Sequence, residues 1–136
     1  MHTRVAEEIA ILRERYPELQ HDEQFRWVML PDVALPPGRF NKERTRLLFN
    51  IPPSYPSAGP DNFFVDGDLK LKDGSNPPGL NLGANSGSGS AAVEGNWSWF
   101  SWHPALWRAT AILLDGDNLL TFVRGANMCL QGREAT

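Results

Sequence analysis

From Asp73 to Gly95 the chain is dominated by Gly, Asn, Ser and Pro, and it includes the run Ser86-Gly87-Ser88-Gly89-Ser90. A segment of this length with no hydrophobic period carries too little apolar surface to offset the entropy of ordering it. It reads as a functional or mobile loop, with residues 83–96 as its flexible part. The elements that can build a core must then lie before and after it.

Before it, Val5, Ile9, Leu12 and Tyr16 recur at helical steps, with Arg4, Glu7, Glu8, Arg13 and Glu14 around the other faces. This predicts an amphipathic helix capped by Thr3 and stopped by Pro17. Phe25 to Leu30 reads as a strand ending at Pro31, and Pro36-Pro37-Gly38 as a turn. Arg44 to Ile51 reads as a second strand, and a stiff corner, Pro52-Pro53-Ser54-Tyr55-Pro56 to Pro60, follows it. Phe63-Phe64-Val65 and Leu69-Lys70-Leu71 are short strands flanking the Asp66-Gly67-Asp68 turn. After the loop, Leu119, Phe122, Val123, Ala126 and Leu130 share one helical face, with Asp117 as N-cap and Gly132 as stop. A helix followed by sequential short strands predicts an α+β fold: an antiparallel meander of about four strands with a helix on one face, then a long loop and a C-terminal helix.

The totals limit the function. At 136 residues the chain fits one domain, residues 1–136, with a single core. Its formal net charge is −3 and no Lys/Arg cluster stands out, so the basic face that nucleic-acid binding requires is missing. One cysteine excludes an internal disulfide. The N-terminus carries no signal-peptide pattern, and Ala109–Leu114 is far shorter than the roughly 20 residues of a membrane span, so a soluble cytoplasmic protein is expected. Of the five tryptophans, Trp97, Trp99, Trp102 and Trp107 fall within one short block.

Several ordered landmarks resemble the ubiquitin-conjugating (UBC) superfamily. They are the first helix, the strand meander, Ile51-Pro52-Pro53-Ser54-Tyr55-Pro56 with Pro60, and a loop leading into a Trp-x-Pro element and a closing helix. Within that superfamily the chain resembles the prokaryotic family E through Leu35-Pro36-Pro37-Gly38-Arg39-Phe40, Pro53-Ser54-Tyr55-Pro56, Trp97-Ser98-Trp99-Phe100-Ser101-Trp102-His103, Trp107 and Asp117-Asn118-Leu119-Leu120. The resemblance implies a component of a bacterial ubiquitin-like conjugation pathway, with antiphage defence as one setting. Its implied partners are a ubiquitin-like modifier, a ThiF-like activating enzyme and a JAB-type peptidase; no cofactor is implied.

The usual thioester chemistry of the superfamily does not transfer. A thiolate accepts the modifier there, and the corresponding stretch here, Gly83 to Ser101, holds no cysteine and no His-Pro-Asn triplet. The sole thiol, Cys129, falls at the edge of the last helix's apolar face. It reads either as an inert core residue or, if His103 approaches it, as a nucleophile. His103 matches the histidine of the family pattern and serves either as general base or as a ring packed on tryptophans. Ser86, Ser88, Ser90, Ser98 and Ser101 offer hydroxyls, and only Ser101 lies near a histidine in sequence, which opens an oxyester route. Asn81, Asn85 and Asn96 are oxyanion donors or turn formers. Trp97, Trp99 and Trp102, with Tyr55, either close the core or anchor a partner. His2 and His21 lack partners at ligand spacing, so no metal site is expected.

Three functions compete. The first is a UBC-fold transfer protein with an unconventional acceptor. The second is a non-catalytic adaptor of the same fold that binds the modifier or the activating enzyme, and the third is a domain stacking its aromatic block on a flat ligand such as a sugar.

Overall fold

A computed structural model describes residues 2–83, 85–86, 89–102, 104 and 106–132. Helix α1 (His2–Arg15) is followed by strands β1 (Gln20–His21), β2 (Trp27–Ala34), β3 (Arg44–Asn50), β4 (Phe63–Asp66), β5 (Leu80–Leu82), β6 (Asn85–Ser86), β7 (Gly89–Ser90) and β8 (Trp97–Phe100), and then by helix α2 (Leu119–Leu130). Six strands form one antiparallel sheet in the order β1-β2-β3-β4-β8-β5, while β6 and β7 form a separate hairpin. The α+β architecture expected from the sequence, helix first and helix last around an antiparallel sheet, is present.

Pairing explains both faces of the sheet. Leu47 opposes Val65 and Phe63 opposes Phe100 on one face, while Leu48 opposes Phe64 and Phe64 opposes Trp99 on the other. Neighbouring apolar residues along a strand point to opposite faces, so the runs Leu47-Leu48-Phe49 and Phe63-Phe64-Val65 need cover on both sides. The helices supply it on the first face, where Val5, Ile9, Leu12, Phe122, Val123 and Ala126 pack with Val28, Leu30, Leu47, Phe49, Phe63 and Phe100. The second face is covered by the chain itself: Ala91 and Val93 rest with Met29, Leu48, Phe64 and Trp97. Trp97 donates its indole N–H to Val93 O at 2.7 Å, and the Arg46 guanidinium lies 4.0 Å from the Trp97 ring centre.

Four local expectations need correction. Strand β2 runs through Pro31 because a register shift between Leu30 and Val33 accommodates it, and β1 pairs only up to Met29, so no ladder bond awaits the missing N–H. Leu71 forms only an isolated bridge to Phe40 in place of a strand. Thr3 lies inside α1 instead of capping it. The N-cap of α2 is Asn118, whose side chain accepts the Thr121 N–H while the Thr121 hydroxyl accepts the Asn118 N–H. Asp117 instead accepts the Arg108 N–H at 2.7 Å and bonds the Thr121 hydroxyl.

Asp66, at the end of β4, receives Lys42 Nζ at 2.9 Å and Arg46 Nε. Burial pushes its carboxyl up, but hydrogen bonds and charge from Arg46 and Lys42 outweigh that and hold it below the ordinary carboxylate value. A carboxylate depressed on folding contributes stability above its unfolded value, and the contribution disappears as pH falls through the folded one. Asp66→Asn should therefore unfold about 1–3 kcal/mol more easily at pH 7. It should also lose less stability than the unsubstituted chain between pH 5 and 3, as urea titrations at each pH would report.

Candidate functional site

The segment joining β8 to α2 carries the sequence-predicted chemistry, and three anchors hold it. At its start, Trp102 donates its N–H to Asn62 Oδ1 at 3.0 Å and to Phe100 O at 3.0 Å. The Asn62 N–H returns a bond of 2.7 Å to Trp102 O. A bond from residue 102 back to residue 100 closes a three-residue γ-turn with Ser101 at its centre. Ser101 donates its N–H to Gly79 O at 2.9 Å. Its side chain is exposed and makes no hydrogen bond to another described residue.

Farther along, Trp107 lies against the proline corner and donates its indole N–H to Pro56 O at 2.9 Å. Gly59 is required beneath it, because a Cβ there would stand 2.4 Å from the Trp107 ring. The third anchor is at the end, where the Asp117 N–H bonds Arg108 O at 2.8 Å beside the carboxylate bond already described. Between the anchors Leu106, Ile112 and Leu114 are exposed.

The aromatic block divides by strand parity. Trp97 and Trp99 lie on the second face, Trp97 fully buried and Trp99 half-buried. Trp102 turns to the helix side, its ring centre 5.3 Å from Phe122 and 6.0 Å from Phe63. Tyr55 is buried at the corner, 5.9 Å from Trp107, with its hydroxyl on Glu8 Oε1. Burial, reinforced by the Glu8 carboxylate, pushes its phenol far above its ordinary value.

Glu8 is the residue sequence reasoning misplaced. Its residue type puts it among the other faces of α1, yet it is 2% exposed. Its Oε2 accepts Arg4 Nε at 2.7 Å, and its Oε1 accepts the Leu119 N–H at 2.7 Å as well as the Tyr55 hydroxyl. Leu119 is the first residue of α2, whose N–H has no intrahelical partner, so the carboxylate caps that helix from another element. The spacing Val5, Glu8, Ile9, Leu12 was the available signal, since steps of three and four put Glu8 on the core stripe.

Cys129 is half-buried near the far end of α2. Burial raises its thiol above the ordinary value, and the Arg39 guanidinium only partly opposes that. It lies seven positions beyond Phe122, where Trp102 packs, which is about 10 Å along the helix. Ser101 and Trp102 are neighbours in sequence, and Cys129 lies on α2 about two turns beyond the ring on which Trp102 packs. His103 lies outside the described residues, as does Ser88.

The other loop residues singled out are engaged locally, apart from Ser86, whose side chain lies outside the described residues. Ser98 is buried within the sheet. Ser90 donates its hydroxyl to Asn85 Oδ1 at 2.6 Å, and Asn81 Nδ2 donates to Gly79 O at 3.1 Å. Asn96 O accepts the Gly67 N–H at 2.8 Å. Among the described residues no cluster of His, Cys, Asp or Glu is placed to hold a metal ion, and no helix is long and apolar enough to cross a membrane.

No curated protein and no solved structure matches the chain. The sequence model of Prokaryotic E2 family E matches residues 10–132, from within α1 to the residue after the α2 cap. With helix, antiparallel sheet, proline corner and closing helix in the order that the resemblance implied, the chain belongs to Prokaryotic E2 family E and takes its part in bacterial ubiquitin-like conjugation.

Proposed function

We propose that this single-domain chain receives the C-terminal acyl group of a ubiquitin-like modifier from a ThiF-like activating enzyme, with Ser101 as acceptor and His103 as the base. The observation that carries this reading is the exposed Ser101 hydroxyl at the centre of a γ-turn two residues before the histidine. In the step, the Ser101 Oγ–acyl bond forms and the bond from the acyl carbon to the activating enzyme's leaving group breaks. The hydroxyl proton passes to the base and then to the departing group. A JAB-type peptidase would act on the opposite, hydrolytic side of the pathway. Trp99 and Trp102, both half-buried, offer contact area to the modifier; Tyr55 and Trp97 act from the interior by holding the corner and the sheet.

The test is a reconstitution with activating enzyme, modifier and ATP, followed on non-reducing gels. The expected adduct survives thiol, is removed by hydroxylamine and is lost in Ser101→Ala. His103→Gln should slow its formation by about 100-fold or more, while Cys129→Ala leaves it unchanged. A thiol-labile adduct lost in Cys129→Ala would overturn the assignment. The adaptor reading draws on a separate observation, the cysteine-free stretch 83–101 with the only thiol half-buried elsewhere. Binding of the modifier or the activating enzyme with no adduct is its signature.

A further inference from the structure

We infer that Asn62 is a positioning residue for the transfer site, acting by fixing the backbone of Trp102, the residue between Ser101 and His103. The inference rests on the acceptor reading of that segment. The β4–β8 ladder pairs Phe63 with Phe100 as its last step; one more antiparallel step would set Asn62 opposite Ser101 and make both ordinary strand residues. Asn62 instead adopts a φ of 63°, a left-handed conformation that costs most side chains but that asparagine tolerates best after glycine. The ladder stops there. Asn62 then reaches past Ser101 and holds both main-chain polar groups of Trp102, accepting its N–H at 3.0 Å and donating to its carbonyl at 2.7 Å.

The consequence falls on the neighbours. With Trp102 held on one side and Ser101 N–H on Gly79 O on the other, the chain is pinched into the γ-turn that presents the Ser101 side chain to solvent. Asn62 itself is 8% exposed, so it meets no macromolecular substrate and reaches the site through Trp102. A residue that merely ended a strand would need one bond to the segment. Here both polar groups of the same residue are bound, and the following residue in sequence is the histidine assigned as base.

Two substitutions separate positioning from simple turn formation. Asn62→Gly keeps the left-handed backbone and the main-chain bond but loses the Oδ1 acceptor, whereas Asn62→Asp keeps an acceptor oxygen. In the reconstitution above, Asn62→Gly should lower the saturated rate of adduct formation by about tenfold or more. The activating-enzyme concentration giving half the maximal rate should stay unchanged, and Asn62→Asp should recover most of the rate. Asn62→Ser replaces the glycine variant if circular dichroism shows that chain unfolded. An unsubstituted chain that reacts, beside an Asn62→Gly chain that reacts equally fast, overturns the inference alone. An unsubstituted chain that forms no adduct removes the transfer reading and this inference with it.

Discussion

Glu8→Ala should lower the unfolding free energy by about 3–5 kcal/mol, the range for removing one partner of a buried charged pair. Three donors depend on that carboxylate: Arg4, the Tyr55 hydroxyl and the first N–H of α2. Alanine would take the acceptor from Arg4 Nε, the Tyr55 hydroxyl and the Leu119 N–H in a site where the Glu8 side chain is 1% exposed, and each orphaned polar group carries its own desolvation cost. Since whole domains are stable by only about 5–15 kcal/mol, this is a large share. Glu8→Gln keeps an acceptor oxygen and loses the charge, so its cost should be distinctly smaller. Urea unfolding followed by tryptophan emission measures both. A double-mutant cycle with Tyr55→Phe should show coupling, because the two changes delete the same bond. Equal losses for Gln and Ala would mean that shape, and no charge-assisted bonding, holds the three elements together.

Phe122→Ala is expected to cost a similar amount, about 3–5 kcal/mol, by a different route. Its ring is 1% exposed and lies between Phe49, 4.9 Å between centres, and Trp102, 5.3 Å. Truncation opens a cavity lined by two aromatic rings, one on β3 and one in the segment after β8, and neither can fill it without leaving its own packing. Phe122→Leu retains most of the volume and should cost under about 1.5 kcal/mol. Because Trp102 rests on this ring, Phe122→Ala should also shift tryptophan emission to longer wavelength under native conditions. An unshifted spectrum with full stability loss would show that Trp102 is held by Asn62 alone.

What the sequence made legible follows from where signals are local. Both helices were readable because Val5, Ile9 and Leu12, and Leu119 to Leu130, repeat at the helical period. Strands β3 and β4 were readable as apolar runs, but their two-sided coverage was not, because the cover for Phe64 and Trp97 comes from Ala91 and Val93 within the segment that looked too polar to pack. Strand β5 lay hidden in the same segment, since three residues, Leu80-Asn81-Leu82, carry no period. Asp117 was the obvious cap by residue type; Asn118 won because Thr121 stands three residues later and completes the box. Of the site, Ser101 and His103 stood out by adjacency alone. Asn62 did not, since its partner Trp102 lies 40 residues away and its role depends on a backbone angle.

The strand order carries a consequence for synthesis. Strands β1 to β4 can pair in the sequence in which they are made, but β8 lies between β4 and β5 in the sheet. As the chain leaves the ribosome, β5 therefore emerges before the strand it needs, and Phe64 and Leu48 wait until Ala91, Val93 and Trp97 follow to cover them. Pairing late is hazardous when the waiting segment is itself adhesive. The Gly-, Ser- and Asn-rich composition of residues 73–95 is the opposite of adhesive, so the feature that made this stretch look unstructured keeps the half-made sheet from capturing the wrong strand.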